Sequence, residues 1–156
     1  MRIEHVTTQV QINLSQEEDL AEIAENAYAF ICDMVSFPNY MADVLKVEEK
    51  RSGTKSIVSW ECLIDGVPFN WVQENTYDGP SFVIFFELLE GDFELFEGSW
   101  NVEKHHNQVN LGLNLRYAIG LPVIEEVLGP ILKEKLKKNS FSMLEDIKKR
   151  LETEIA

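Results

Sequence analysis

Residues 59–71 read SWECLIDGVPFNW. Asp65-Gly66 between alternating apolar residues is the strongest short-range signal for a two-residue hairpin turn. A turn there pairs residues whose numbers sum to 131, so Trp60 faces Trp71, Cys62 faces Phe69 and Val58 faces Gln73 on one side of the ribbon. Cores are normally filled by close-packed aliphatic side chains. Two adjoining indoles on a stripe that ends in an amide are instead the usual lining of a ligand pocket.

On either side of this hairpin the apolar period stays at two. Strands are expected over 43–50, 55–63, 68–77, 81–89, 93–103 and 108–119, with turns at Ser52-Gly53, Asp65-Gly66, Asp78-Gly79, Gly91-Asp92 and His106-Asn107. A two-residue turn at His106-Asn107 sets Trp100 against Leu113, Val102 against Leu111, Gly98 against Leu115 and Phe96 against Tyr117. The Asp78-Gly79 turn pairs Trp71 with Phe86, Gln73 with Ile84 and Asn75 with Phe82. At Gly91-Asp92 simple pairing fails, because Phe86 meets Glu97, and a bulge or longer loop is expected.

Before these strands, residues 3–13 carry enough β-branched side chains for a first strand. SQEEDLAEIAENAYAFICDM, 15–34, reads as a helix with Ser15 and Glu18 as a capping box and Leu20, Ile23, Ala27, Phe30, Ile31 and Met34 at helical spacing. Pro38 in SFPNYMADVL ends that helix and permits a short second one. Residues 122–155 are helical, interrupted once at Gly129-Pro130, with Leu132, Leu136, Met143, Ile147 and Leu151 as the apolar stripe. Six hairpin-linked strands with helices segregated to one face make an α+β fold, a single antiparallel meander that twist curls around the last helix.

At 156 residues one domain over 1–156 is the simplest organisation. The net charge of −13 argues against nucleic-acid binding and against adhesion to anionic lipid. Seven of the fourteen Lys and Arg nevertheless lie between Lys133 and Arg150. The N-terminus MRIEHVTTQVQINL has no signal-peptide core, and no apolar run reaches membrane-spanning length. Cys32 and Cys62 stand far apart without CxxC spacing, as buried free thiols in a reducing cytoplasm do.

The order of elements, with FICDMVSFPNYM, WECLIDGVPFNW, EGDFELFEGSWNVE, LRYAIGLPV and NSFSMLEDIKKRLE, resembles the polyketide cyclase/dehydrase family of the START-like (Bet v 1-like) helix-grip superfamily. The resemblance covers nearly the whole chain. It implies seven antiparallel strands gripping a long C-terminal helix, two short helices between strands one and two, and an interior cavity. The first helix looks about two turns longer than usual, around Gln16–Ile23. The family's aromatase/cyclases hold a tethered linear polyketide and promote aldol ring closure and dehydration. Their roles assigned to an arginine and a tyrosine fall here on Asn75 and Val44, whereas the cavity tryptophans match Trp71 and Trp100.

The shared face therefore nominates Trp60, Trp71, Phe82, Phe86, Phe96 and Trp100 as ligand-contacting residues, with Tyr77, Asn139 and Met143 beside them. The indoles suit stacking on a flat aromatic or polyene ligand, or core packing with each N–H satisfied locally. Gln73 and Asn75 suit donation to a ligand carbonyl and its developing enolate, or a structural polar network. Tyr117 is the best-placed phenol for general acid work, or it is core. Glu61 and Glu87 fall on the outer face, the acidic run EGDFELFE reads as a solvated hairpin, and His105-His106 reads as a surface turn. No metal site and no cofactor are expected. The expected partner is a hydrophobic or aromatic small molecule. The leading expectation is a cyclase acting on a poly-β-ketone, which an acyl carrier protein can present, and the alternative is a non-enzymatic carrier of a quinone, lipid or isoprenoid.

Overall fold

The computed structural model describes residues 2–13, 19–120 and 122–155. Its elements run β1 (Glu4–Ile12), α1 (Leu20–Cys32), a 3₁₀ turn (Met34–Asn39), β2 (Val44–Ser52), β3 (Lys55–Ile64), β4 (Val67–Asp78), β5 (Val83–Gly91), β6 (Leu95–His105), β7 (Gln108–Ala118) and α2 (Pro122–Ile155). The seven strands form one antiparallel sheet in the order β1-β7-β6-β5-β4-β3-β2. The meander β2 to β7 is closed on its far side by β1, and α2 lies across β1, β7 and β3. This is the α+β helix-grip arrangement.

Two hairpins form in the expected register. Trp60 pairs with Trp71 and Cys62 with Phe69, while Trp100 pairs with Leu113 and Phe96 with Tyr117. The β3–β4 turn works because Asp65 and Gly66 both take positive φ, 53° and 79°, as a type I′ turn requires.

The β4–β5 register differs from expectation. Asn75 pairs with Phe86 and Tyr77 with Ile84, each four residues beyond the predicted partner. A two-residue turn at Asp78-Gly79 would open β5 at Pro80, which has no N–H to give the ladder. The chain instead loops from Asp78 to Val83, with Ser81 N donating to Asp78 Oδ1 at 3.2 Å and Phe82 N to the Gly79 carbonyl at 3.2 Å. Because the shift is even, every side chain keeps its face. Ser81 and Phe82 leave the expected strand, and Phe82 turns through φ 55° and packs on Tyr28, ring centroids 5.5 Å apart.

The irregularity foreseen around Gly91 is present. The register shifts between Val72 and Gln73, and β5 pairs with β6 only from Val83 to Glu87. A Cβ on Gly91 would lie 2.5 Å from Trp71 Cα, and its φ is 141°, so only glycine fits there.

Both helices depart from expectation. The capping box at Ser15 and Glu18 lies outside the described residues; α1 begins at Leu20, and Asp19 caps it by accepting from Ala21 N at 2.9 Å. The second short helix is a 3₁₀ turn that contains Pro38. α2 runs unbroken through Gly129-Pro130 for 34 residues. Pro130 forfeits one backbone hydrogen bond, but its fixed φ is helical and the helix continues on both sides. No described helix is long and apolar enough to cross a membrane.

Candidate functional site

Period-two alternation on β4 turns Trp71, Gln73, Asn75 and Tyr77 inward and leaves Val72, Glu74 and Thr76 half-exposed. Gln73 is 2% exposed and Asn75 0%. On β3 the inward residues are Val58, Trp60, Cys62 and Ile64. These two strands, with Phe86, Phe96, Trp100, Leu113 and Leu115, make the sheet wall of an interior cavity. Leu136, Asn139, Ser140 and Met143 of α2 form the opposite wall. The cavity measures about 40 Å³.

The wall is aromatic. Trp60 and Trp71 stack at 5.7 Å with planes 7° apart, Trp71 meets Phe96 at 4.8 Å, and Phe86 meets Phe96 at 5.7 Å. Two further rings support them that the sequence reading passed over. Phe37 of the 3₁₀ turn sits 5.9 Å from Trp60 and 5.7 Å from Trp100. Phe93 stacks on Phe96 at 4.6 Å and on Phe69 at 5.3 Å. EGDFELFE is therefore not a wholly solvated hairpin: its two phenylalanines are buried and its acidic residues are not. Phe96 is inward by the β6–β7 register, whereas the inward placement of Phe93, in the loop before β6, was legible only from its three-residue spacing to Phe96.

The inward polar groups of β4 bond to one another. Trp71 Nε1 donates to Gln73 Oε1 at 2.8 Å, Gln73 Nε2 to Asn75 Oδ1 at 2.7 Å, and Asn75 Nδ2 to Tyr77 Oη at 3.4 Å and to Met34 Sδ at 3.3 Å. Ser56 Oγ meets Tyr77 Oη at 2.8 Å, and the Arg51 guanidinium lies 3.9 Å above the Tyr77 ring. Each amide thus has partners inside the protein, and burial leaves neither of them orphaned. Gln73 borders the cavity; Asn75 and Tyr77 lie beyond it.

The other nominated residues divide. Asn139 and Met143 line the cavity, with Asn139 Nδ2 donating to the Leu63 carbonyl at 3.5 Å. Phe82 does not reach it. Neither does Tyr117, whose Oη donates to the Gly129 carbonyl of α2 at 3.2 Å and whose phenol is pushed up by burial and then by the charge of Glu4. Val44, the position that stands for the family tyrosine, is buried and apolar. Among the described residues, Cys62 is the ionisable side chain of the lining, and burial, then the charges of Asp43 and Glu61, push its thiol up to about 12.

Near one end of the cavity lies a wider groove of about 300 Å³, lined by Ile64, Val67, Phe69, Phe93, Leu128 and Ile131 among others. Lys135 Nζ and Asp65 Oδ2 form a 3.0 Å ion pair on its rim. Ile64 is common to groove and cavity. Along α2, Leu132 faces the groove and Leu136, one turn on, faces the cavity, so the two spaces follow each other beneath the helix.

The same architecture occurs in solved structures of low sequence identity. A Thermus thermophilus protein matches 98% of this chain and 100% of its own at 21% identity, with a TM-score of 0.85. The Zhui aromatase/cyclase from a Streptomyces species matches 99% of this chain and 97% of its own at 17% identity and TM-score 0.81. A START superfamily protein from Mycobacterium smegmatis matches 90% and 97% at 18% identity and TM-score 0.64. No curated protein matches the chain in sequence. The family model described as polyketide cyclase / dehydrase and lipid transport matches residues 23–143. The chain belongs to that polyketide cyclase/dehydrase and lipid transport family.

Proposed function

We propose that this protein binds a hydrophobic, largely flat small molecule between its sheet and α2 and carries it. The observation behind this reading is the composition of the cavity wall. Trp60, Trp71, Phe86, Phe96 and Trp100 supply flat apolar surface, and among the described residues no carboxylate, imidazole or cation lines the cavity. General acid–base chemistry needs a titratable group poised near the working pH. Cys62, held near 12, is not such a group.

Entry is through the groove. Its 300 Å³ is at the lower end of the range for ligand pockets, roughly 300–1,000 Å³, whereas the inner cavity has room for little more than water. A ligand seated in the groove reaches the indoles by displacing Leu136 and Met143, and Met143 has the flexibility to yield.

A second reading is favoured by the likeness to the Zhui aromatase/cyclase over 99% of this chain. In it the ligand is a poly-β-ketone delivered at the groove by an acyl carrier protein. The pocket then accelerates aldol closure by confining the chain in one reactive geometry and by excluding water, without an acid or base of its own.

Native mass spectrometry of the purified protein, followed by fluorescence titration with 1-aminoanthracene, tests the binding reading. Saturable binding that Ser140→Phe abolishes is expected, because Ser140 lines the cavity and a phenyl group fills it. No binding of any apolar probe overturns both readings. Incubation with a poly-β-ketone thioester separates them, since only the cyclase accelerates ring closure.

A further inference from the structure

The stacked indoles of Trp60 and Trp71 are alike in burial and unlike in bonding. Trp71 Nε1–H is committed to Gln73 Oε1 at 2.8 Å. Trp60 is 4% exposed, and its Nε1 is buried without a hydrogen-bond partner among the described residues. One other buried side-chain polar atom shares that condition, Tyr28 Oη, and it does not border the cavity. Buried donors in folded proteins are almost always paired, and Trp60 is one of the residues that line the cavity, so its unpartnered N–H is a donor to which a ligand acceptor can be brought.

The surrounding polar groups narrow what that atom is. The indole N–H only donates. Gln73 and Asn139 already make hydrogen bonds within the protein, Ser140 adds one hydroxyl on the α2 side, and aromatic and aliphatic side chains with Cys62 occupy the rest of the sheet wall. We infer that the ligand carries one acceptor oxygen, a ketone or quinone carbonyl set in a flat apolar skeleton, and that Trp60 Nε1–H is the donor that recognises it. This rests on the binding reading above and adds the chemical feature that the pocket selects.

The discriminating pair is fluorenone and fluorene, the same planar skeleton with and without a single carbonyl. Displacement of 1-aminoanthracene gives an affinity for each with the wild type, Trp60→Phe and Trp71→Phe. Trp60→Phe should weaken fluorenone roughly three- to tenfold more than fluorene, the effect of one net hydrogen bond. Trp71→Phe should weaken the two ligands by the same factor, because its N–H serves Gln73. A readout without substitution is the Trp60 indole proton, which should move downfield with fluorenone and not with fluorene. If both ligands bind and Trp60→Phe weakens them equally, or the indole proton responds to both alike, the inference is overturned and the pocket stands. If neither ligand binds the wild type, the pocket reading itself fails and this inference with it.

Discussion

Trp60 and Trp71 face each other across the β3–β4 ladder with ring centroids 5.7 Å apart and planes 7° from parallel. Directly opposed aromatic pairs stabilise an antiparallel ladder by up to about 1 kcal/mol. Here the pair also forms one wall of the cavity, so the same contact that fixes register presents a flat apolar surface.

The polar ladder of β4 predicts a stability effect with little effect on binding. Asn75→Leu removes partners from Gln73 Nε2 and Tyr77 Oη and should lower unfolding free energy by about 1–3 kcal/mol in urea. Adding Gln73→Leu should cost less than the sum of the single changes, because the two amides satisfy each other. Probe affinity of Asn75→Leu should stay within about twofold of wild type, since Asn75 does not line the cavity, and a net hydrogen bond lost from a ligand would cost more. A larger loss would place this amide on the ligand.

Gly91 predicts a specific backbone effect. Its φ of 141° is open to glycine, and an alanine Cβ would sit 2.5 Å from the Cα and Cβ of Trp71. Gly91→Ala should destabilise the fold by more than about 1 kcal/mol and alter the near-ultraviolet circular dichroism as Trp71 shifts. An unchanged spectrum and melting curve would contradict the close packing of β5 on β4.

What could be read from the chain followed the turn chemistry. Asp65-Gly66 announces its own turn type, and the β3–β4 register with its paired indoles follows from it. Asp78-Gly79 carries the same signal, but Pro80 behind it lengthens the loop, and the ladder shifts by four. Parity survived that error, so Gln73 and Asn75 were placed inward correctly while Phe82 was not. That the amides bond to each other depends on side-chain reach along one strand, which no pattern of two conveys. Phe93 was hidden by the acidic residues around it, although a loop can bury one side chain and solvate its neighbours.

Tyr117 predicts a distinction between clamp and catalyst. Its hydroxyl ties β7 to α2 through the Gly129 carbonyl. Tyr117→Phe should cost about 1 kcal/mol of stability and leave probe affinity, and any ring-closing rate, unchanged. A rate loss of about 100-fold or more would instead assign the phenol a general acid role.

Cys62 predicts an alkaline slope in stability. Its thiol stays protonated in the native state up to about 12 but ionises near its ordinary value of 9.0 once unfolded. The unfolded state therefore binds fewer protons across that window, and stability, full below 9.0, declines as pH rises toward about 12. Cys62→Val, which keeps the packing and removes the titration, should flatten the decline measured by urea unfolding. An identical slope in the variant would assign the effect elsewhere.

All three tryptophans of the chain border the cavity, which makes their indole N–H resonances a direct reporter of its occupancy. Titrating isotope-labelled protein with 1-aminoanthracene while following those three signals tests whether the ligand is held between sheet and α2. A ligand held there should shift Trp60, Trp71 and Trp100 together, all three saturating at one common concentration. Saturable binding that leaves all three indoles unmoved would contradict it.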